Sequence, residues 1–216
     1  MAFTLFDSSA KEREKKKVRP SVVTGTVVNN CDLINQGKVL VRIPSLDQEV
    51  WARMGGVGAG SGAGFFYCPR VDDEVLIGLG DGEPADAFII SGLWNTQDSP
   101  PVSDTLDAIS KRKIKTGLKA GVGHEVEFDD GVGQSIKITT TTKQQITLDP
   151  QKIEISTTGG SVKITLDLKT QAVNIQGLAK VDISTKGTLS LKGTNIEIGD
   201  ATTVKTTIMG KMVMIN

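Results

Sequence analysis

The sequence is poor in the residues on which most catalytic and metal sites depend. Its 216 residues include one histidine and two cysteines, too few for a histidine- and cysteine-rich metal site or a disulfide framework. His124 lies between a glycine and a glutamate, with no Gly-x-Ser-x-Gly pattern elsewhere to supply a serine nucleophile. We therefore predict no catalytic residue, no metal and no cofactor. Cys31 and Cys68 are expected to be buried and reduced.

Long apolar runs and an imbalance of charge are also lacking. No apolar stretch approaches the eighteen or so residues of a membrane-spanning helix. The first residues have neither the charged leader nor the apolar core of a secretion signal, so we expect no signal peptide. The 25 lysines and arginines equal the 25 aspartates and glutamates, which gives no overall field to attract nucleic acid. Nucleic-acid binding is therefore not expected.

Aromatic residues make up 4% of the chain, whereas glycine occurs 24 times. This composition suits turn-rich β structure. The glycine-rich segment 55–64 lacks both Gly-Lys-Ser/Thr and Gly-x-Gly-x-x-Gly, so it is expected to be a loop between strands and not a phosphate site. Asp129 and Asp130 lie in a glycine-flanked turn, where solvated carboxylates are more usual than an acid/base pair.

The last third of the chain repeats one short phrase in which apolar and polar residues alternate. Such alternation is typical of a strand with one buried face. The phrases recur roughly every seven to eleven residues, which indicates an internal repeat. They are Ile136–Ile138, Ile146–Leu148, Ile153–Ile155, Val162–Ile164, Val173–Ile175, Val181–Ile183, Leu189–Leu191, Ile196–Ile198, the weaker Val204–Thr206, and Val213–Ile215.

Each repeat is too small to bury a core alone, and no aromatic residue follows Phe128 to cover a sheet. Winding the strands around a common axis would hide their apolar sides and satisfy the sheet edges. A single-chain solenoid needs about twenty residues per coil, so an eight-residue period fits three intertwined chains better. We predict a trimeric β-helix over residues 129–216. The inward residues are expected to include Ile138, Ile155, Ile164, Ile175, Ile183, Leu191 and Ile198.

Residues 21–95 are predicted to form a separate small β domain. Five strand-like segments, with tight-turn signals such as Gly80-Asp81-Gly82 and no long helix, favour a five-stranded barrel of the OB type. Trp51 and Trp94 are expected to pack in a core or an interface. The segments are Val22–Val28, Lys38–Ile43, Val50–Met54, Glu74–Leu79 and Ala87–Trp94.

The order of motifs in this barrel resembles one known module, the OB-fold domain of phage baseplate spike proteins and of the related VgrG spikes of type VI secretion. The residues that carry the resemblance are Val50-Trp51-Ala52-Arg53, Cys68 to Leu76 with Pro69-Arg70 at its start, Asp81-Gly82-Glu83-Pro84, and Ile89-Ile90-Ser91-Gly92. A β-helical repeat after the barrel is the second feature of that family, so the resemblance covers residues 21–216. We expect Arg70 to hold a loop through a neighbouring carboxylate.

The first twenty residues are too few for the large hub domain that precedes the barrel in VgrG proteins. The resemblance therefore implies a short spike on a separate trimeric hub protein. Residues 1–20 are expected to be either a solvated arm or an arm that docks on this hub through Phe3, Leu5 and Phe6. Residues 96–128 are expected to be a linker, with helical character between Asp104 and Leu118 that suits either a threefold bundle or an extended crossover.

Three methionines stand among the last eight residues. They either fill a tapering core or form a docking platform; the residues of this platform are Met209, Met212, Met214, Ile215 and Asn216. The resemblance implies that a PAAR-type tip protein caps such a blunt end. No histidine follows His124, which excludes the histidine-containing, iron-binding tip of spikes that pierce alone.

We expect an all-β protein, an N-terminal OB-fold barrel followed by an intertwined trimeric β-helix. The resemblance implies a structural, non-enzymatic central spike of a contractile tail, in a phage baseplate or an injection particle assembled in the bacterial cytoplasm. Its implied partners are two further copies of the chain, a hub, a PAAR-type tip protein and cargo effectors, with transient contact to the target membrane. The alternative is a trimeric receptor-binding tailspike or adhesin.

Overall fold

The first five strands form a closed barrel. In the computed structural model, which describes residues 21–32, 37–102, 104–117, 122–199, 202–203, 205–211 and 213–214, short 3₁₀ turns lie between some of these strands at Pro44–Leu46, Gly80–Gly82 and Pro84–Asp86. The strands are β1 (Val22–Asn29), β2 (Lys38–Ile43), β3 (Gln48–Met54), β4 (Glu74–Leu79) and β5 (Ala87–Gly92).

The barrel closes in the order β1-β2-β3-β5-β4, with β4 hydrogen-bonded back to β1. All neighbouring pairs are antiparallel except β3 and β5, which run parallel at Arg53–Phe88 and Met54–Ile89. A closed sheet has no free edge, so this unit satisfies its backbone groups without another chain.

Alternating residues of the barrel strands point inward and form its core. In β2, for example, Val39, Val41 and Ile43 are fully buried, whereas Arg42 is exposed. The all-β class and the five-stranded, OB-like barrel expected from the sequence are confirmed. The core residues are Val23, Val27, Val39, Val41, Ile43, Ala52, Val75, Ile77, Leu79, Ala87 and Ile89.

A short helix leads from the barrel into a second sheet. Helix α1 spans Thr105–Ser110, and its N-cap is Asp104, whose carboxylate accepts hydrogen bonds from the backbone N–H groups of Leu106 and Asp107. The next residue, Lys111, already begins a strand. The second sheet therefore starts inside the segment that the sequence assigned to a linker, and the region of helical character divides into one helix and one strand.

The second sheet is a seven-stranded antiparallel meander in which each strand pairs with its neighbours in sequence. One 3₁₀ turn, Thr158–Gly160, lies between the fifth and sixth strands. Within 177–199 and the described residues after it, no further strand occurs. The strands are β6 (Lys111–Lys115), β7 (Glu125–Asp129), β8 (Ser135–Thr139), β9 (Gln145–Leu148), β10 (Lys152–Ser156), β11 (Lys163–Asp167) and β12 (Ala172–Gln176).

Candidate assembly surface

One face of the seven-stranded sheet is apolar and uncovered. The strand register aligns the apolar side chains of β7 to β12 in two columns that run across the strands. Val126 is partly buried. The exposed fractions of the other side chains range from 37% at Ile146 to 67% at Val173. The first column contains Val126, Ile138, Ile146, Ile155, Ile164 and Ile175, and the second contains Phe128, Ile136, Leu148, Ile153, Leu166 and Val173. A contiguous apolar face of this extent marks a binding surface; we call it the apolar face.

The opposite face is polar and carries ion pairs, both between neighbouring strands and within β10. Lys113 lies 3.0 Å from Glu125 and 2.6 Å from Glu127, and Lys152 lies 3.0 Å from Glu154. Burial raises the pKa of Glu125, whereas the hydrogen bond and the charge of Lys113 lower it. The lowering effects together are larger, so the pKa of Glu125 is below its usual value. This face is suited to water, so the face that needs a cover is the apolar one.

A groove of about 370 Å³ crosses the apolar face. Its floor is formed by Ile138, Ile146, Ile155 and Ile164, and the turns at one side of the sheet form its rim. The groove is thus open and has an apolar floor.

The two lateral edges of this sheet differ in chemistry. The turns after β7, β9 and β11 are each tied by an aspartate that accepts backbone N–H groups: Asp129 from Gly131 at 2.9 Å, Asp149 from Gln151 at 2.8 Å, and Asp167 from Thr170 at 2.9 Å. We call this side the aspartate edge.

The turns after β6, β8 and β10 are instead closed by threonine hydroxyls. Thr116 accepts from the His124 N–H at 3.0 Å, Thr140 from the Gln144 N–H at 3.1 Å, and Thr157 from the Val162 N–H at 3.3 Å. We call this side the threonine edge. Alternating turn chemistry gives the sheet two distinguishable sides.

The predicted inward residues divide into two groups. Ile138, Ile155, Ile164 and Ile175 all lie in the first column of the apolar face. In the described residues after β12 the alternating pattern persists without a strand, and the exposed fractions there are 66% at Ile183, 63% at Leu191 and 65% at Ile198. Their burial in an assembly stays a prediction.

The residues matched to the spike module have local structural partners in the barrel. Arg70 lies 3.1 Å from the Asp73 carboxylate, which also accepts the Arg70 backbone N–H at 2.8 Å. The hydrogen bond and charge of Asp73 raise the pKa of Arg70. Arg53 pairs with Asp86 at 2.6 Å. Arg70 therefore holds the loop before β4, as expected.

Sequence reasoning missed a connection between the barrel loop and the second sheet. The Tyr67 hydroxyl donates a 2.6 Å hydrogen bond to the carbonyl of Lys115 in β6, and the Tyr67 ring is stacked on Phe65 with 6.3 Å between centroids. Tyr67 and Lys115 are 48 residues apart in the sequence, so no local pattern in the sequence signals their hydrogen bond. The hydrogen bond joins the segment that follows the glycine-rich loop to β6, the first strand of the second sheet.

Comparison with known proteins assigns the barrel to a family. Residues 23–94 match the type VI secretion system/phage-baseplate injector OB domain. The barrel is thus similar to this domain family. A further relative is the actin cross-linking toxin VgrG1 of Vibrio cholerae serotype O1, 28% identical over 134 residues that make up 56% of this chain and 11% of the toxin. Together they confirm the resemblance of the barrel region to VgrG-like baseplate spike proteins, and the chain spans about a tenth of the length of this relative.

The predicted docking residues at the two ends of the chain are only partly described. Met209 and Met214 are 88% and 80% exposed. Met212, Ile215 and Asn216 lie outside the described residues, as do Phe3, Leu5 and Phe6. The proposed roles of both sets stay predictions.

The remaining residues considered for chemistry lie apart in the structure. Cys31 is exposed and Cys68 partly buried, both with free thiols, so the expected burial of Cys31 was wrong; it follows the exposed end of β1. Trp51 and Trp94 are 42% and 70% exposed and lie outside the barrel core. Within the described ranges, no group of three or more potential metal ligands occurs, and no helix is long and apolar enough to cross a membrane.

Proposed function

We propose that three copies of this chain assemble into the central spike of a contractile tail or injection particle. The observation that supports this most is the uncovered apolar face on a sheet that follows an injector-family OB barrel. Burying such a face is favourable by about 25 cal/mol for each Å² removed from water. Three copies would each supply one wall of a prism and bury all three apolar faces at its axis.

The length of the strands favours three walls. Six of the seven strands are five residues long, or about 17 Å each. A triangle with sides of about 17 Å has its centre about 5 Å from each side, which is half of the ~10 Å spacing between packed sheets. Four such walls would stand about 8 Å from their centre and leave a channel. Three walls fill the core with side chains alone.

The segment after β12 fits the same assembly. It keeps the alternating apolar pattern through Ile183, Leu191 and Ile198 without a ladder to its own chain. Strands that pair with other copies would satisfy these backbone groups. We therefore propose that residues 177–216 continue the spike as an intertwined β-helix.

The proposed role is mechanical and not enzymatic. A sheath contraction would drive the spike into the target envelope, and the spike would resist unfolding because every layer would join contacts from three chains. The VgrG1 relative is named as a toxin, but the match covers 11% of it. The toxin activity is therefore not transferred to this chain.

Both ends of the spike would carry partners. We propose that residues 1–20 dock on a trimeric hub through Phe3, Leu5 and Phe6, and that a PAAR-type tip protein covers the end formed by Met209, Met212, Met214, Ile215 and Asn216. Cargo effectors would travel with the same particle, assembled in the bacterial cytoplasm. A triple alanine variant of the three arm residues should lose hub binding and keep its oligomeric mass, whereas unchanged hub binding would exclude this docking site.

The test of the proposed assembly is the solution mass of the purified full chain by light scattering, with and without mild SDS. A mass of three chains that survives the detergent is expected. A monomeric mass at all concentrations would exclude the trimeric spike and leave only the barrel assignment.

A further inference from the structure

Strand β11 is the one strand of the seven-stranded sheet whose first and last residues carry opposite charges. It begins at Lys163 on the threonine edge and ends at Asp167 on the aspartate edge. The end residues of β6 are both basic and those of β7 are both acidic, and no other strand of this sheet has two charged ends. The charges of β11 therefore stand on opposite sides of the wall.

Lys163 has no acidic neighbour in its own sheet. Its cross-strand neighbours are Ser156 on β10 and Gln176 on β12, and the described residues place no carboxylate within ion-pair distance of its ammonium group. An uncompensated ammonium at the end of a strand is available to a carboxylate from another chain.

Asp167 places its carboxylate at the aspartate edge. It accepts the Thr170 N–H at 2.9 Å and also interacts with the Thr170 side chain and the Lys169 backbone. Its cross-strand neighbour Lys152 makes its ion pair with Glu154 at 3.0 Å, and the charge of Lys152 acts on Asp167 without an ion pair at contact distance. The hydrogen bond from the Thr170 backbone lowers the pKa of Asp167, so the carboxylate is charged at neutral pH.

The proposed trimer determines which edges meet. A threefold axis rotates the chains without translation along the axis, so equivalent strands of the three walls lie at the same height. At every corner the aspartate edge of one copy then faces the threonine edge of the next. The two ends of β11 consequently meet at each of the three corners.

Resting on this proposed trimer, we infer that Lys163 of each copy forms an ion pair with Asp167 of the neighbouring copy. The partner is a second copy of the chain, joined heterologously, with a different edge from each side. The three ion pairs lie at the same height along the threefold axis. They oppose a shift of one wall along the axis relative to the next, because a shift by one strand would leave Lys163 without Asp167 opposite it. They thereby fix the register of the walls that the apolar columns alone leave free to slide.

Zero-length carbodiimide coupling tests this contact in the full chain. The reagent joins an amine to a carboxylate only where the two touch. Lys163 and Asp167 of one chain stand at opposite ends of a strand, about 13 Å apart, so they cannot be joined within a copy. An isopeptide between these two residues, found by mass spectrometry in covalent dimers and trimers, is the expected result.

Two variants serve as controls. Lys163→Arg keeps the positive charge without a reactive amine, so it should stay trimeric and lose the cross-link. Asp167→Asn should lose the cross-link and withstand SDS only at a lower temperature than the unsubstituted chain. Coupling at high dilution distinguishes a stable contact from random collision. The yield of the isopeptide is independent of protein concentration only if the two residues are in contact within the assembly.

The outcomes separate this inference from the proposed assembly. A trimeric mass with no Lys163–Asp167 isopeptide overturns the corner contact and leaves the trimer intact. A trimer in which Lys163 couples to an acidic residue of another strand also overturns it, because the walls would then be shifted in height. A monomeric chain overturns both proposals.

Discussion

Ile155 lies directly opposite Ile164 across the β10–β11 ladder, and both side chains are exposed on the same face. Their neighbours Glu154 and Thr165 are paired in the same way on the opposite face, where Thr165 is 9% exposed. The sheet thus exposes its apolar pairs more than its polar ones. That inversion is the physical basis for the predictions about assembly.

The first prediction concerns a charge on the apolar face. Ile164→Lys should prevent the trimer from forming, because three ammonium groups would be buried at the axis without partners, and each chain would also lose about 1.5–3 kcal/mol of isoleucine burial. Light scattering should report a monomer. The matched control is Asn174→Lys, one strand away on the polar face, which should remain trimeric. An intact trimer of the Ile164 variant would show that this face points outward.

The second prediction concerns the packing of the barrel. A Cβ at Gly25 would lie 2.6 Å from Cδ1 of Ile77 and 2.7 Å from the Arg42 carbonyl oxygen. Gly25→Ala should therefore destabilise the barrel by about 1–3 kcal/mol, seen as a lower Tm in thermal unfolding. Gly92→Ala is the control, because a Cβ at Gly92 meets nothing within 4 Å. Equal Tm values for the two variants would contradict the packing described.

The third prediction concerns acid stability. Because the folded-state pKa of Glu125 is lowered, its stabilising effect is complete above the unfolded-state pKa of about 4.3 and is lost as the pH falls through the lower folded-state value. The unsubstituted chain should thus lose thermal stability between about pH 5 and pH 3. Glu125→Gln should have a lower Tm at pH 7 and a smaller further loss in acid.

The control for this pH dependence is Glu197→Gln, which removes an exposed carboxylate outside the sheet. This variant should keep the acid profile of the unsubstituted chain. If both variants changed the profile equally, the pair between Lys113 and Glu125 would not be its source.

The fourth prediction concerns the C-terminal tip. Met209→Asp and Met214→Asp place a charge at side chains that are 88% and 80% exposed, so neither should change the mass of the assembly. Each should weaken binding of a purified PAAR-type tip protein, measured by co-elution. Thr207→Asp, also exposed, adds the same charge and should retain binding if the methionines form the contact. Loss of binding in all three variants would point to charge alone.

The barrel and the central strands could be predicted from the sequence because their apolar residues alternate with period two. Ile153–Ile155 and Val173–Ile175 both lie within strands of the sheet. The parallel pairing of β3 with β5 was not predictable, because it joins Arg53 to Phe88 across a segment that contains the whole of β4. Local patterns give the strands but not the partners of distant strands.

Strand β6 is left open at the sequence level, where an extended crossover is one of two alternatives, for a different reason. Its sequence, Lys111 to Lys115, contains four charged residues and a single apolar one, Ile114. It becomes a strand because β7 supplies opposite charges, with Lys113 opposite Glu127 and Lys115 opposite Glu125. The edge chemistry of the candidate surface was equally hidden, since it depends on which turns share a side of the sheet.

The direction of the backbone hydrogen bonds sets how the seven-stranded sheet responds to force. The bonds of β6 to β12 run from strand to strand, so a load along the stack acts parallel to them. Compression presses each strand against the next, where atomic repulsion resists it, and the tight turns at both edges prevent buckling sideways. Tension along the same line would open the ladders one at a time. In the proposed spike, the sheet would therefore resist compression along the stack better than tension.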